Sequence, residues 1–308
     1  MARKRRGQPV HGWVIIDKPL GITSTKVVGR VRHLLDAQKA GHGGTLDPLA
    51  SGLLPIALGE ATKTVSYAMD GTKVYEFTVR WGQSTATDDL EGDVIKTSEA
   101  RPSEEQIESI LEEFTGDISQ VPPIYSAIKI DGKRAYDLAR ADKDVKIAPR
   151  VIKIFELTLR KMIDKDHAAF CVKCGKGTYI RSLARDMAVR LGTVGHVTAL
   201  RRTVVGPFTQ SHAISLDSLE ALGHSARDSK ALLDVEAVLD DIPALALNEE
   251  QARRLKHGQA ISMADVDDQF SSSGFSEAQV FSAMAEGKMI ALVTCREGEI
   301  KPLRVLNR

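Results

Sequence analysis

Asp47 is the residue whose setting most clearly suggests chemistry. It follows the glycine-rich loop Gly41-His42-Gly43-Gly44 and precedes the apolar run Leu49 to Leu58. Three glycines within four residues let a backbone come very close to a ligand. A single aspartate presented there can act as a nucleophile or as a base. His42 stands five positions upstream and Lys63 a little downstream. Asp-Pro is equally a helix-start signal, with Asp47 as N-cap and Pro48 in the first helical position. The two readings are compatible, because a capping aspartate can still expose one oxygen. The loop is not of the Walker type, since no Gly-Lys-Ser/Thr closes it, and it lacks the glycine spacing of a dinucleotide-binding turn.

The elements around Asp47 follow from periodicity. Trp13 to Asp17 reads as a short buried strand, Lys18 to Gly21 as a turn, and Ser24 as the N-cap of a helix with Val27, Val28, Val31, Leu34 and Leu35 at helical spacing. Tyr75, Phe77, Val79 and Trp81 alternate with Glu76, Thr78 and Arg80, which predicts a strand with one apolar face. Ser103 and Gln106 form a capping box; Ile107, Ile110, Leu111 and Phe114 share the helix face that follows, and Gly116 ends it. Strands are expected at Ile152–Arg160 and Ala168–Cys174. A turn at Gly175–Thr178 then leads to a helix with Ile180, Leu183, Ala184, Met187 and Leu191 on one face. Strands and helices mix without βαβ alternation, so the fold class is α+β and not a doubly wound sheet. The acidic stretch from Asp217 to Asp241 reads as helical and then linking. Short strands and glycines from Leu245 onward predict a small β-rich second domain, giving domains of 1–235 and 236–308.

Composition narrows the classes. The 308 residues suffice for one large domain and a small one. No apolar run approaches the roughly 20 residues that span a bilayer, and the basic N-terminus lacks the apolar core of a secretory signal, so a cytoplasmic protein without membrane attachment is expected. Cys171 and Cys174 have the spacing of a metal or redox pair. They lie in an alternating, strand-like run with no further ligands at matching spacing, so no metal site is expected. Net charge is only +1, but its distribution is uneven. Arg150 to Arg202 carries twelve Lys/Arg against four Asp/Glu, and Ile214 to Glu250 carries two against nine. That asymmetry suits one polyanion-binding face, and equally the solvated faces of separate helices. Between Pro122 and Pro149, Lys129, Lys133, Arg134 and Arg140 are interleaved with tyrosines, which suits an RNA-contacting loop or an ordinary surface hairpin.

The segment Gly41 to Lys63, GHGGTLDPLASGLLPIALGEATK, resembles the signature of the TruB family of tRNA pseudouridine synthases. WVIIDKPLGITS (Trp13 to Ser24), KVYEF (Lys73 to Phe77), KGTYIR (Lys176 to Arg181) and GHVTALRR (Gly195 to Arg202) resemble further motifs of that family in the same order. The resemblance implies a mixed, largely antiparallel central sheet with flanking helices, an RNA-gripping insertion at about 120–150, and a PUA-like C-terminal domain. It implies isomerisation of the T-loop uridine at tRNA position 55, with no cofactor, by a stand-alone, monomeric enzyme. Asp47, Tyr75 and Arg181 become the expected catalytic residues. His42, Lys18, Lys63, Tyr179, Leu200 and Lys129 become the expected substrate contacts, although Lys18 and Lys63 are equally suited to structural bonds. GHVTALRR is expected to be a loop that closes the pocket. Arg181 is suited to grip a carboxylate through two parallel hydrogen bonds, and Tyr75 to stack on a detached uracil and to help move its C5 proton. A target uridine must leave its stack, and the imidazole of His42 is suited to fill the gap. A guide-dependent synthase and a non-catalytic tRNA-binding or tRNA-folding protein are the alternatives.

Overall fold

The computed structural model describes residues 7–126, 128–130, 133–134, 147–269 and 278–307. Strands β1 (Gly12–Lys18), β2 (Ala40–His42), β3 (Ala50–Leu58) and β4 (Lys73–Trp81) come first, and β5 (Gln83–Thr85) with β6 (Val94–Thr97) forms a separate ribbon. After β7 (Gly116–Gln120), a second ribbon pairs β8 (Lys129–Ile130) with β9 (Lys133–Arg134). Strands β10 (Arg150–Met162), β11 (His167–Cys174), β12 (Gly195–Val205) and β13 (Ala213–Ser215) complete a nine-stranded sheet of order β13-β1-β3-β12-β4-β11-β10-β7, with β2 on β3. Among the described residues, β1–β13 and β3–β12 are the parallel pairs of this sheet and its other pairs are antiparallel. The sheet is therefore mixed and largely antiparallel, and the fold is α+β as the sequence predicts.

Period-two alternation distributes the core. In β1, Val14 and Ile16 face one cluster with Val27 and Val31 of the helix Ser24–Leu34. Trp13 and Ile15 face the opposite cluster with Leu53, Ala57 and Phe208. Phe77, Val79 and Trp81 of β4 pack with Leu183, Ala184 and Met187 of the helix Ile180–Arg190. The capping box at Ser103 is present and starts the helix Glu104–Ile110. Ser24, however, is not an N-cap. Thr23 caps that helix by accepting from the Lys26 N–H, and Ser24 is buried inside the first turn.

A second sheet of order β14-β16-β17-β18-β15 is formed by β14 (Ala244–Ala246), β15 (Ile261–Ser262), β16 (Val280–Ala285), β17 (Lys288–Arg296) and β18 (Glu299–Val305). It has its own core around Leu245, Leu255, Phe281 and Val293. Its other face sends Met289, Leu292 and Leu306 into the Trp13 cluster. Val235 and Val238, on either side of the expected boundary at 235/236, are both buried in that shared cluster, and the strands of the second sheet begin at Ala244.

Gly52, in β3, lies opposite Arg202 of β12 with φ +99°, and a Cβ there would stand 2.2 Å from the Arg202 carbonyl oxygen. Gly52→Ala combines a left-handed backbone with a clash against a central strand. It should lower stability by about 3 kcal/mol, measured by urea unfolding.

Candidate active site

Asp47 does not start a helix. Pro48 and Leu49 form a turn and the chain continues directly into β3. The segment from Gly44 to Pro48 is outside any strand, so its carbonyls need other partners. Arg202 donates Nη2 to Gly44 O (3.0 Å) and Nη1 to Thr45 O (3.2 Å). Ser24 Oγ donates to Leu46 O (2.9 Å) and accepts from Leu46 N (2.8 Å). The Asp47 carbonyl accepts from Ala50 N (3.1 Å), and Pro48 O accepts from Gly21 N (2.8 Å) and Lys18 Nζ (3.2 Å). Each carbonyl of the loop is thus tied down, and the Asp47 carboxylate is aimed at one place.

Arg181, near the start of the helix Ile180–Arg190, meets Asp47 there. Its Nε is 2.9 Å from Asp47 Oδ2 and 3.6 Å from Asp89 Oδ2. Arg181 is 5% exposed. Nη1 donates to Thr87 O (2.8 Å) and Nη2 to Tyr125 O (2.9 Å), so the fork is committed to backbone. The parallel two-bond grip on a carboxylate is therefore replaced by a single edge shared between two carboxylates. Nε–H is not aligned on either oxygen, so the contact is an ion pair rather than a directed hydrogen bond. Burial raises the pKa of Asp47 above the usual carboxylate range; Arg181 opposes that shift and Asp89 adds to it. The carboxylate still keeps 36% of its side-chain surface open to the cleft.

That cleft has a volume of about 530 Å³, and Asp47, Tyr75, Tyr179, Arg181, Leu200 and Arg202 are among its lining residues. A smaller pocket shares Asp47 and Arg181 with it and is also lined by Asp89, Leu90 and Val197 to Leu200. Tyr75 lies on the apolar face of β4; burial raises its pKa and Arg202 opposes the rise. GHVTALRR is a central strand, β12, and not a loop; Leu200 reaches both pockets from it. Tyr179 precedes the Arg181 helix, and the Gln120 side chain bonds both its N–H (2.9 Å) and its C=O (3.1 Å).

The remaining expected contacts separate from this cluster. Lys18 is fully buried, its Nζ donates to the carbonyls of Pro19, Ile22 and Pro48, and burial lowers its pKa to about 8. It holds the loop and presents no free proton to a ligand. Lys63 bonds Glu60 and the Val305 carbonyl, 2.7 Å each, and ties β18 to the main sheet instead of lining the cleft. His42, on β2, is outside the lining residues; its Nδ1 is buried with no neighbour better than its own backbone, and burial lowers its pKa. The side chain of Lys129 lies outside the described residues, as do Tyr136 and Arg140. Cys171 and Cys174 are free thiols, alternately half-buried and buried along β11, and no cluster of metal-binding type occurs among the described residues. Among those residues no helix is long and apolar enough to cross a membrane.

Sequence reasoning missed Asp89 and Arg202. Asp89 accepts from Thr87 Oγ1 and from Glu91 N (2.9 Å), which leaves Oδ2 toward Arg181. The preceding Asp88 has φ +59° and pairs with Arg185 at 2.9 Å, a strained backbone beside the site. The signals in the sequence were the adjacent Asp88-Asp89 pair and the last arginine of GHVTALRR.

The family model described as TruB family pseudouridylate synthase (N terminal domain) matches residues 32–180, and the tRNA pseudouridylate synthase B C-terminal domain matches 181–241. Over 307 residues the chain is 57% identical to tRNA pseudouridine synthase B of Rhodospirillum rubrum, covering 100% of both proteins. The chain belongs to the TruB family of pseudouridylate synthases. The tRNA pseudouridine synthase B of Bradyrhizobium diazoefficiens is 53% identical, over 99% of this chain and 88% of its own. Among solved structures, a chain of an H/ACA RNP bound to a substrate RNA containing 2′-deoxyuridine aligns with TM-score 0.73 and 22% identity, over 100% of this chain and 92% of its own. A chain of a Cbf5-Nop10-Gar1 complex aligns with TM-score 0.72 and 25% identity, over 100% and 90%. The two family models meet at residues 180 and 181, inside one helix, and β12 and β13 from the second model belong to the main sheet. Their junction is not a fold boundary.

A raised Asp47 pKa has a defined sign in catalysis. If the ionised form is required, activity falls as pH drops through a value above the ordinary aspartate range. Arg181→Ala removes the main opposing charge, so the acid limb of kcat/KM should move to higher pH, as a pH–rate profile of both proteins would show.

Proposed function

We propose that this TruB-family protein converts the T-loop uridine at tRNA position 55 to pseudouridine, using Asp47 as the carboxylate that acts on the flipped-out nucleotide. The observation that carries this reading is the half-open Asp47 carboxylate, held 2.9 Å from the buried Arg181 guanidinium in a cleft that also contains Tyr75 and Tyr179. Isomerisation breaks the C1′–N1 bond and forms C1′–C5; C5 loses a proton and N1 gains one. The balance needs no oxidant, metal or nucleotide. Asp47 supplies the electron pair, either to C1′ or to a proton of the sugar, and the ion pair with Arg181 opposes its protonation.

Tyr75 and Leu200 flank the base in this reading. The phenol ring provides a stacking surface, and its hydroxyl is placed to help with the C5 proton. His42 fills the stack vacated by the uridine, so its lying outside the cleft wall is compatible with its role. The insertion around 120–150 and the C-terminal β-rich unit, in a PUA-like role, extend the RNA contact. Lys18 and Lys63 drop out as substrate contacts because their ammonium groups are occupied by the protein itself.

The end-to-end match to relatives named tRNA pseudouridine synthase B supports a tRNA substrate over a guide-dependent or non-catalytic role. A monomeric enzyme in the cytoplasm, working without a protein partner, completes the proposal. The deciding measurement is tritium release from a T-arm RNA labelled at uridine C5, with no added protein. Wild type should release tritium and Asp47→Asn should not; equal release by both would remove Asp47 from the mechanism. In single-turnover assays His42→Ala should lose less activity than Asp47→Ala, and equal losses would contradict a flipping role.

A further inference from the structure

Arg202 is the largest charged side chain in the fully buried interior, at 2% exposure, and among the described residues it forms no ion pair with a carboxylate. A buried cation without an anionic partner is costly unless its hydrogen bonds are well satisfied. Arg202 satisfies them on backbone. Nε donates to Leu53 O (2.8 Å) in β3, and the two Nη atoms donate to Gly44 O and Thr45 O. One planar group thus joins the central strand β12 to β3 and to the loop that ends in Asp47. It also lines the large cleft and is paired with Tyr75 across the β4–β12 ladder, where it is the foremost positive charge acting on the phenol.

The placement depends on a close strand crossing. The Arg202 backbone passes Gly52 at a distance that leaves no room for a Cβ, and the ladder shifts register between Arg202 and Val204. Gly44 has φ +122°, and a Cβ there would meet Arg202 Nη1 at 3.6 Å, an ordinary van der Waals contact. The guanidinium therefore reaches the loop through its backbone carbonyls, without a side chain of the loop intervening. Lysine offers three donors on a flexible stem and cannot reproduce a fork fixed between two segments.

We propose that Arg202 is a positioning residue for the reaction: its buried guanidinium fixes the Gly44–Thr45 backbone that aims Asp47 and orients the Tyr75 phenol, so both groups take their geometry from one side chain. The proposal rests on the roles given to Asp47 and Tyr75 above. It gives Arg202 no bond to the reacting atoms: Arg202 acts through the loop and the phenol. Displacing a reacting group by about 1 Å can cost about a hundredfold in rate, so removing the fork should act on the chemical step and spare RNA affinity.

The test compares wild type, Arg202→Lys, Arg202→Met and Asp47→Asn on the T-arm RNA. Single-turnover rate at saturating RNA, RNA Kd, thermal unfolding and the 13Cζ resonance of Tyr75 are measured, with Tyr75→Phe assigning the signal. Arg202→Met should lose about a hundredfold in rate with Kd changed by less than about threefold. Its Tyr75 resonance should shift, and Arg202→Lys should recover part of the rate. A folded Arg202→Met with wild-type rate and an unmoved Tyr75 resonance overturns the proposal, as does a rate loss matched by lost RNA affinity. Should Arg202→Met not fold, Arg202→Lys decides: a full rate with an unmoved Tyr75 resonance overturns the proposal, and a slowed rate at unchanged Kd with a shifted resonance supports it. Activity in Asp47→Asn would instead overturn the functional reading, whatever Arg202 does.

Discussion

Five consecutive carbonyls, from Gly44 to Pro48, sit outside any β-ladder and must all find donors. That constraint organises the site. The donors come from β1, the turn after it, the helix Ser24–Leu34, the head of β3 and the middle of β12. Three of them are side chains at 3% exposure or less: Lys18, Ser24 and Arg202. A loop anchored by buried groups from several elements cannot move without opening the core. Rigidity of this kind allows the Asp47 carboxylate to stand at a cleft wall in one orientation.

The electrostatics follow from the same economy. Arg181 faces two carboxylates with one edge, because Thr87 and Tyr125 hold its fork. A second carboxylate next to Asp47 weakens the stabilisation that Arg181 gives it, and burial leaves the pKa raised. Such a carboxylate is poorly solvated when ionised, and its ionised form is a stronger base than that of a free aspartate. The cost of holding a charge there is spread over the protein: Thr87 and Glu91 N–H bind Asp89, and Asp88 accepts a left-handed backbone to make that turn.

The second sheet is bound into the first. Lys63 and Glu60 bond the carbonyl of Val305 and the N–H of Asn307, while Met289, Leu292 and Leu306 share a core with Trp13. Trp13 in turn donates to Val235 O at 3.2 Å. The connecting segment around residue 235 is therefore part of the hydrophobic core, which its acidic composition alone does not reveal. Composition reports what a stretch carries on average; Val235 and Val238 report where it is anchored.

Periodicity alone determined most of the elements: the alternation in Trp13–Asp17, Tyr75–Trp81 and Ala168–Cys174, the capping box at Ser103, and the helix through Leu183 and Met187. These depend on local backbone geometry and on one buried face, both written in neighbouring residues. The motif around Asp47, by resemblance, supplied the family and the carboxylate. Tertiary structure decided the rest. Asp-Pro became a strand entry because Ala50 onward pairs with β1 and β12, and GHVTALRR became a central strand because β3 and β4 lie on either side of it. Ser24, Lys18, Asp89 and Arg202 gained their roles from partners between 4 and 158 positions away, apart from the local Thr87, Glu91 and Pro19 contacts. A residue's type states what bonds it can form, but which carbonyl or carboxylate it meets is fixed only when strands distant in sequence are brought side by side.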